Sequence, residues 1–495
     1  MMAPSQAVRH VRLHAFEGLV VLCCILTALL LASWPYMEAL RTPAENMVFT
    51  GLLHGHSDYN TYLVKIETGR QGGLLYRNPY DPAGGERLPL HLFWIALGWI
   101  ARTLGATSIA AFHGARVVLG GAFLLAAYRL VRAVIGAPRT SLLSFLLLTS
   151  SSGLTGVIVH LPRFRGERLL WFTDALVPEG NTFFSLMLNP AFLFSMAMIA
   201  LAVCDVLTVV RGGRGGWVGG VAALLLGVVH PMSLGALWVV LGAFVAVELL
   251  AGSLSMRKAG WLALRFCGLS AISPVAYACL WLHSPEVKSW VAQNLCPSPP
   301  PVFYLAGYGL LSALALVGVV RCVREPRPAT RLIVVWLFVG FALLYAPVSV
   351  QRRLCEGYHI PVVLGAGMAL RRGRRMALWP LVLVLSLGTT HLLVKSFTHR
   401  ARHPSYPSYI EKDVLRATDW LSVAHAGALV LCEPTNAWVV TRYGHGRVVA
   451  GHWAESPAYT MMSAQVRWFL DGSMPSSRRV EWLDQMGVRL LLWTP

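Results

Sequence analysis

The sequence predicts an all-α polytopic membrane protein of about 11 transmembrane helices, followed by a small C-terminal extracytoplasmic α/β domain. Three observations predict this. Long apolar stretches recur along the 495 residues, arginine clusters mark every second gap between them, and the composition shifts sharply after Lys395. With 56% hydrophobic and 13% charged residues and a mean hydropathy of +0.57, the chain lies outside the range of soluble domains.

The apolar stretches run over 16–37, 110–130, 140–159, 190–210, 216–231, 232–251, 260–282, 302–320, 331–350, 359–370 and 376–394. Each is at or near the roughly 20 apolar residues that cross a bilayer. The first follows a basic segment but is too long for a cleaved signal, and Ala32, Ser33 and Trp34 make a poor cleavage site, so it reads as a retained helix.

Orientation comes from the arginines. Clusters at Arg129 to Arg139, at Arg211 and Arg214, at Arg257 and Lys258, at Arg321 to Arg331 and at Arg371 to Arg375 are expected to be cytoplasmic by the positive-inside rule, together with Arg9 and Arg12. An odd number of crossings then puts residues 395–495 outside. The net charge of +19, which in a soluble domain would suggest nucleic acid, is here assigned to helix orientation and anionic lipid. Nucleic acid is not an expected partner.

The outer segments hold the candidate chemistry. The loop 38–109 is too long for a simple connection, and its apolar part, Leu88 to Leu104, broken by Pro89, His91 and Arg102, reads as an interfacial helix. A second outer loop, 160–189, carries His160, Arg163, Arg165, Glu167, Arg168, Asp174 and Glu179. A short gap from Gln351 to Tyr358 places Arg352 and Arg353 beside Glu356, against the charge rule. Their anionic partner is Glu356, a lipid head group or a substrate phosphate, for which a planar guanidinium is suited. After a linker with Pro404 and Pro407, the last segment reads as a helix at 409–424, an apolar run at 428–432, strand-like residues at 437–450, helices at 461–470 and 478–486, and a strand at 489–493. The division expected is therefore 1–394, with its outer loop, and 395–495.

In the first loop, Asp58 precedes a helical pattern, so it is either a helix cap or a general base. His54, His56 and Asp58 alternate and would share one face of an extended strand, which opens a metal reading; a turn fits equally. No Cys spacing suggests a metal site. Cys296, Cys355 and Cys432 fall on the oxidising side, where a Cys296–Cys355 disulfide is open to them.

These residues resemble a family. The early outer Asp, the interfacial helix, the many further crossings and the outer C-terminal domain are similar to the GT-C fold of polyprenyl-phosphate-sugar-dependent glycosyltransferases, which includes protein O-mannosyltransferases and lipid A aminoarabinose transferases. The strings Asp58-Tyr-Asn-Thr-Tyr62, Asn78-Pro-Tyr80, Pro178-Glu-Gly-Asn-Thr182, Gln351-Arg-Arg353 with Gly357-Tyr-His-Ile-Pro361, and Gly451-His-Trp453 with Glu455 resemble those of a bacterial branch of GT-C-like membrane proteins. Many relatives have two adjacent acids in the first loop, whereas here Ser57 and Tyr59 flank Asp58.

The resemblance implies an inverting glycosyltransferase of the plasma (inner) membrane. Its donor would be a polyprenyl-phosphate sugar from the bilayer, and its acceptor an extracytoplasmic glycan, lipid or protein. Asp58 would be the base. Arg352 and Arg353 would hold the leaving phosphate, with His359 assisting, and Lys65, Glu179, His160 and Arg163 would line the substrate site. The last two, with Arg165 and Arg168, also fit a solvated or head-group face, and Glu179 fits a helix cap. His230-Pro231 reads as a turn between crossings, and His452 with Glu455 as stabilising the C-terminal domain or shaping the acceptor entrance. No cofactor is expected, with a divalent metal left open. The rival class is a transporter or flippase of lipid-linked substrate, which would want ionisable or broken positions near the bilayer midplane in repeated halves; a non-catalytic assembly subunit would tolerate loss of Asp58.

Overall fold

The computed structural model describes residues 4–161, 172–371 and 373–493. Arg163, Arg165, Glu167 and Arg168 lie outside them. The chain forms two compact units, one of residues 1–35, 115–276 and 296–396, the other of residues 36–114, 277–295 and 397–495.

Helix occupies each of the apolar stretches. Among the described residues five helices are long and apolar enough to cross a membrane: Ala15–Arg41, Ser108–Ile135, Pro190–Val210, Pro231–Leu250 and Arg375–Arg402. The number rises to seven if each of two bent pairs is one span, Met256–Ser270 with Ile272–His283 bent by 41° and Pro301–Tyr308 with Leu310–Arg324 bent by 91°. Trp217–Val229, Pro328–Leu343 and His359–Leu370 are shorter apolar helices. This is a multi-pass membrane protein.

In the first unit, helix Leu310–Arg324 lies along His359–Leu370. Their backbones approach so closely that a Cβ on Gly318 would fall 1.9 Å from the Gly365 carbonyl oxygen. Arg331 and Glu248 join Pro328–Leu343 to Pro231–Leu250 through two bonds of 2.7 and 2.6 Å. The stretch 140–159 is not one helix. It stops at Ser150 and resumes only over Thr155–Ile158, because Gly153 packs backbone to backbone on Gly307 and its N–H donates to buried Asp174 at 3.0 Å.

The second unit joins the long loop to the C-terminal segment, a union that a linear division at residue 395 does not draw. Strand Met47–Phe49 pairs antiparallel with Tyr409–Glu411, Met47 opposite Glu411 and Phe49 opposite Tyr409. A parallel three-stranded sheet has Leu429–Leu431 at its centre, between Arg447–Val448 and Leu490–Leu491. The central strand is buried on both faces, as a parallel strand requires: Val430 packs with Tyr80, Leu421, Val440 and Val448, whereas Leu429 and Leu431 face Val449, Ala450 and Val466. Residues 437–443, read as strand-like, are helical. Ala437, Trp438, Val439, Val440 and Thr441 are all buried, and a short run that is apolar on every side carries no period to tell helix from strand.

Candidate functional site

In the second unit, the segment that carries Asp58 is helical from His56 to Arg70, entered through Gly55 at φ 61°. Glycine takes that left-handed turn without steric cost. Asp58 therefore sits within the first turn, not at the cap, where a carboxylate suits the positive end of the helix. Because the segment is helical, His54, His56 and Asp58 do not share a strand face. Among the described residues no group of three or more His, Cys, Asp or Glu side chains could hold a metal ion. His56 Nε2 lies 3.2 Å from the Leu52 carbonyl oxygen, and burial pushes both His54 and His56 down to about 4.

The Asp58 side chain is 49% exposed. Its Oδ1 accepts from His452 Nε2 at 2.9 Å and from Trp453 Nε1 at 3.3 Å. The histidine is buried, at 6%, and the backbone sets its tautomer: the N–H groups of Ala454 and Glu455 donate to Nδ1 at 3.3 and 3.2 Å. The ring proton is thus on Nε2, facing the carboxylate.

Below that turn lies a buried ion pair. Lys65 Nζ meets Glu455 Oε1 at 2.5 Å, with side chains only 2% and 10% exposed, and Tyr76 donates to Glu455 Oε2 at 2.7 Å. Asn78 and Trp290 donate to the Glu455 carbonyl at 2.8 and 3.3 Å. Burial alone would raise the Glu455 carboxyl, but the Lys65 ammonium, with His452 and His91 adding to it, brings it down to about 2. Lys65, expected to line the substrate site, is an internal partner of Glu455. His91 packs edge-on to Tyr76 with ring centroids 5.1 Å apart, and burial takes it down to about 3.

In the first unit the arginines lie on a 3-10 turn, Gln351–Cys355. The Arg352 backbone N–H donates to Cys296 O at 3.0 Å, while its Nε is buried without a hydrogen-bond partner among the described residues. Buried Glu179 lies within the field of both arginines: burial raises its carboxyl, and Arg352 and then Arg353 pull it part of the way back. Glu356 accepts from Ser233 Oγ, and His230 Nδ1 is 2.9 Å from its Oε1. This histidine does sit at a turn, between Trp217–Val229 and Pro231–Leu250.

His359 is enclosed, with Nε2 3.2 Å from Ser151 Oγ and Nδ1 3.1 Å from Thr182 Oγ1, stacked on Tyr308. Its ring nitrogens are occupied by hydroxyls of the fold. His160 is exposed. Cys296 and Cys355 are both buried, and neither is in a disulfide. The Cys355 sulfur faces Gly180, so the disulfide open to them in the sequence is not formed. The sequence did not single out His452 as a partner of Asp58, 394 residues away; the signal available was the pair of aromatic and polar residues in Gly451-His-Trp453.

No family profile matches the sequence, and no curated protein matches it. Solved structures do. The oligosaccharyltransferase AglB from Archaeoglobus fulgidus, in complex with an inhibitory peptide and a dolichol-phosphate, aligns over 96% of this chain and 69% of its own, with a TM-score of 0.55 and 12% identity. This chain has the GT-C fold. The Archaeoglobus fulgidus oligosaccharyltransferase in complex with Zn and sulfate aligns over 87% of the chain and 62% of its own, at a TM-score of 0.52 and 13% identity. The arabinofuranosyltransferase AftD from Mycobacteria gives 0.51 and 14% over 87% of this chain. This GT-C chain spans about two thirds of the archaeal enzyme and about a third of the mycobacterial one.

Proposed function

We propose that the protein is an inverting membrane glycosyltransferase that moves a sugar from a polyprenyl-phosphate donor to an extracytoplasmic acceptor, with Asp58 as general base. The observation that carries the reading is a half-exposed carboxylate on the first turn of His56–Arg70, held by two N–H donors, in a chain of the GT-C fold. In the proposed step the acceptor O–H bond breaks and its proton passes to Asp58. The acceptor oxygen bonds to the anomeric carbon, and the electron pair of the breaking carbon–oxygen bond leaves with the lipid phosphate. Approach from the opposite face inverts the configuration.

The leaving phosphate is assigned to Arg352 and Arg353. In support, a buried guanidinium N–H without a protein partner is costly, and among the described residues the Arg352 Nε–H has none. A phosphate oxygen would satisfy it and gain a charge-assisted bond. A dolichol-phosphate is also present in the AglB complex.

The test is Asp58→Asn in protein reconstituted into liposomes. It would be assayed with a panel of undecaprenyl phosphates carrying radiolabelled mannose, glucose, arabinose or aminoarabinose, with envelope extract as acceptor. Transfer should fall by about a hundredfold or more with unchanged expression. Transfer at the native rate would refute the base assignment.

A further inference from the structure

The turn His452–Ser456 is bonded on every side. Ser456 Oγ accepts the Gly451 and His452 N–H groups at 2.9 and 3.2 Å, Ser456 N–H returns to the His452 carbonyl at 2.9 Å, and Glu455 is anchored on Lys65 and Tyr76. Within that frame the imidazole has one orientation, because Nδ1 is an acceptor for two peptide N–H groups. A histidine that merely filled space would not need its single proton aimed at the acid of a neighbouring helix.

We propose that His452 is the positioning residue of Asp58: its Nε2–H bonds Oδ1, fixes the side-chain torsions and sets the direction of the other carboxylate oxygen toward the acceptor hydroxyl. The proposal rests on the reading of Asp58 as the base. His452 keeps its proton throughout the step, and the acceptor's proton goes to Asp58. The Trp453 indole N–H reinforces the same oxygen. A hydrogen bond to the charged form of an acid favours that form, and the carboxylate is the form that accepts the proton in the proposed step. Among the described residues, titratable groups acting near Asp58 include His54, Tyr80 and, through His54, Arg400, with the Lys65–Glu455 pair beneath the turn.

The experiment is an infrared titration of the full-length protein in liposomes, with the Asp58 carboxyl band identified by its loss in Asp58→Asn. In His452→Phe the midpoint of the Asp58 band should move to higher pH, and in His452→Gln, which retains an N–H at similar reach, it should stay near that of the native protein. Turnover of the undecaprenyl-phosphate sugar panel should fall by about tenfold or more in His452→Phe, in kcat and not in KM, with substantial recovery in His452→Gln. An unmoved midpoint in His452→Phe overturns the proposal, as does kcat within about twofold of native. The two ideas fail separately: active Asp58→Asn protein removes the base, whereas inactive Asp58→Asn protein beside fully active His452→Phe removes only the positioning role.

Discussion

Replacing Glu455 by Gln removes one charge from a pair that lies almost wholly out of water. Lys65 is 2% exposed and Glu455 10% as side chains, so the stranded ammonium would have a neutral amide and aromatic rings as its surroundings; the Tyr62 and Tyr76 rings lie 5.5 and 5.3 Å from Nζ. Breaking a buried pair by removing one partner costs about 3–5 kcal/mol. In a unit of about 200 residues, 1 kcal/mol corresponds to roughly 2–4 °C, so the apparent Tm should fall by about 10 °C, read by intrinsic fluorescence in detergent at neutral pH. Removing both charges should recover most of the loss, because Lys65→Met with Glu455→Leu leaves no stranded ion. The reasoning fails if Glu455→Gln melts like the native protein, or if the double variant is as unstable as the single ones added together.

The same pair has a pH signature. Its folded carboxyl lies near 2 against an ordinary 4.5, so its stabilisation is complete above about 4.5 and is lost as pH falls toward 2; the Tm difference between native protein and Glu455→Gln should close over that range. In the first unit, Arg352→Lys should retain charge but lose the planar fork, weakening binding of undecaprenyl phosphate titrated into detergent-solubilised protein and read by intrinsic fluorescence; equal binding would return Arg352 to a structural role. Glu356→Gln should lower stability by about 1–3 kcal/mol, since Ser233 and His230 lose a charged partner, and leave that binding unchanged. Gly69→Ala should abolish folded protein on gel filtration, because its Cβ would fall 2.1 Å from the Ile95 carbonyl oxygen and neither backbone can yield cheaply. A cytoplasm-only reporter fused after Pro495 should be silent if the C-terminal segment is outside.

The legible parts of the fold were those written locally. Apolar runs marked the helices, and Asp58 before a polar helical pattern marked the start of His56–Arg70. The broken spans were not legible, because a bend such as that at Gly309, with φ 54° and ψ −127°, interrupts the backbone without interrupting apolar composition. In the candidate site the strings around Asp58 and His452 were each visible, but not their contact. The Lys65 ion pair was hidden for the same reason: a lysine in a polar-looking helix gives no sign that its counter-ion is 390 residues away.

That separation in sequence has a consequence for biosynthesis. The Asp58 helix leaves the ribosome before the strand that pairs with Met47–Phe49, and His452 follows Asp58 by 394 residues. At about 5–20 residues per second, the Asp58 segment waits for about 20–80 s before His452 and Trp453 can reach its carboxylate and before Lys65 meets Glu455. A chain stalled or cut before residue 400 carries Asp58 and Lys65 but not His452, Trp453 or Glu455, so an unfinished copy in the membrane lacks these contacts as well as the parallel sheet.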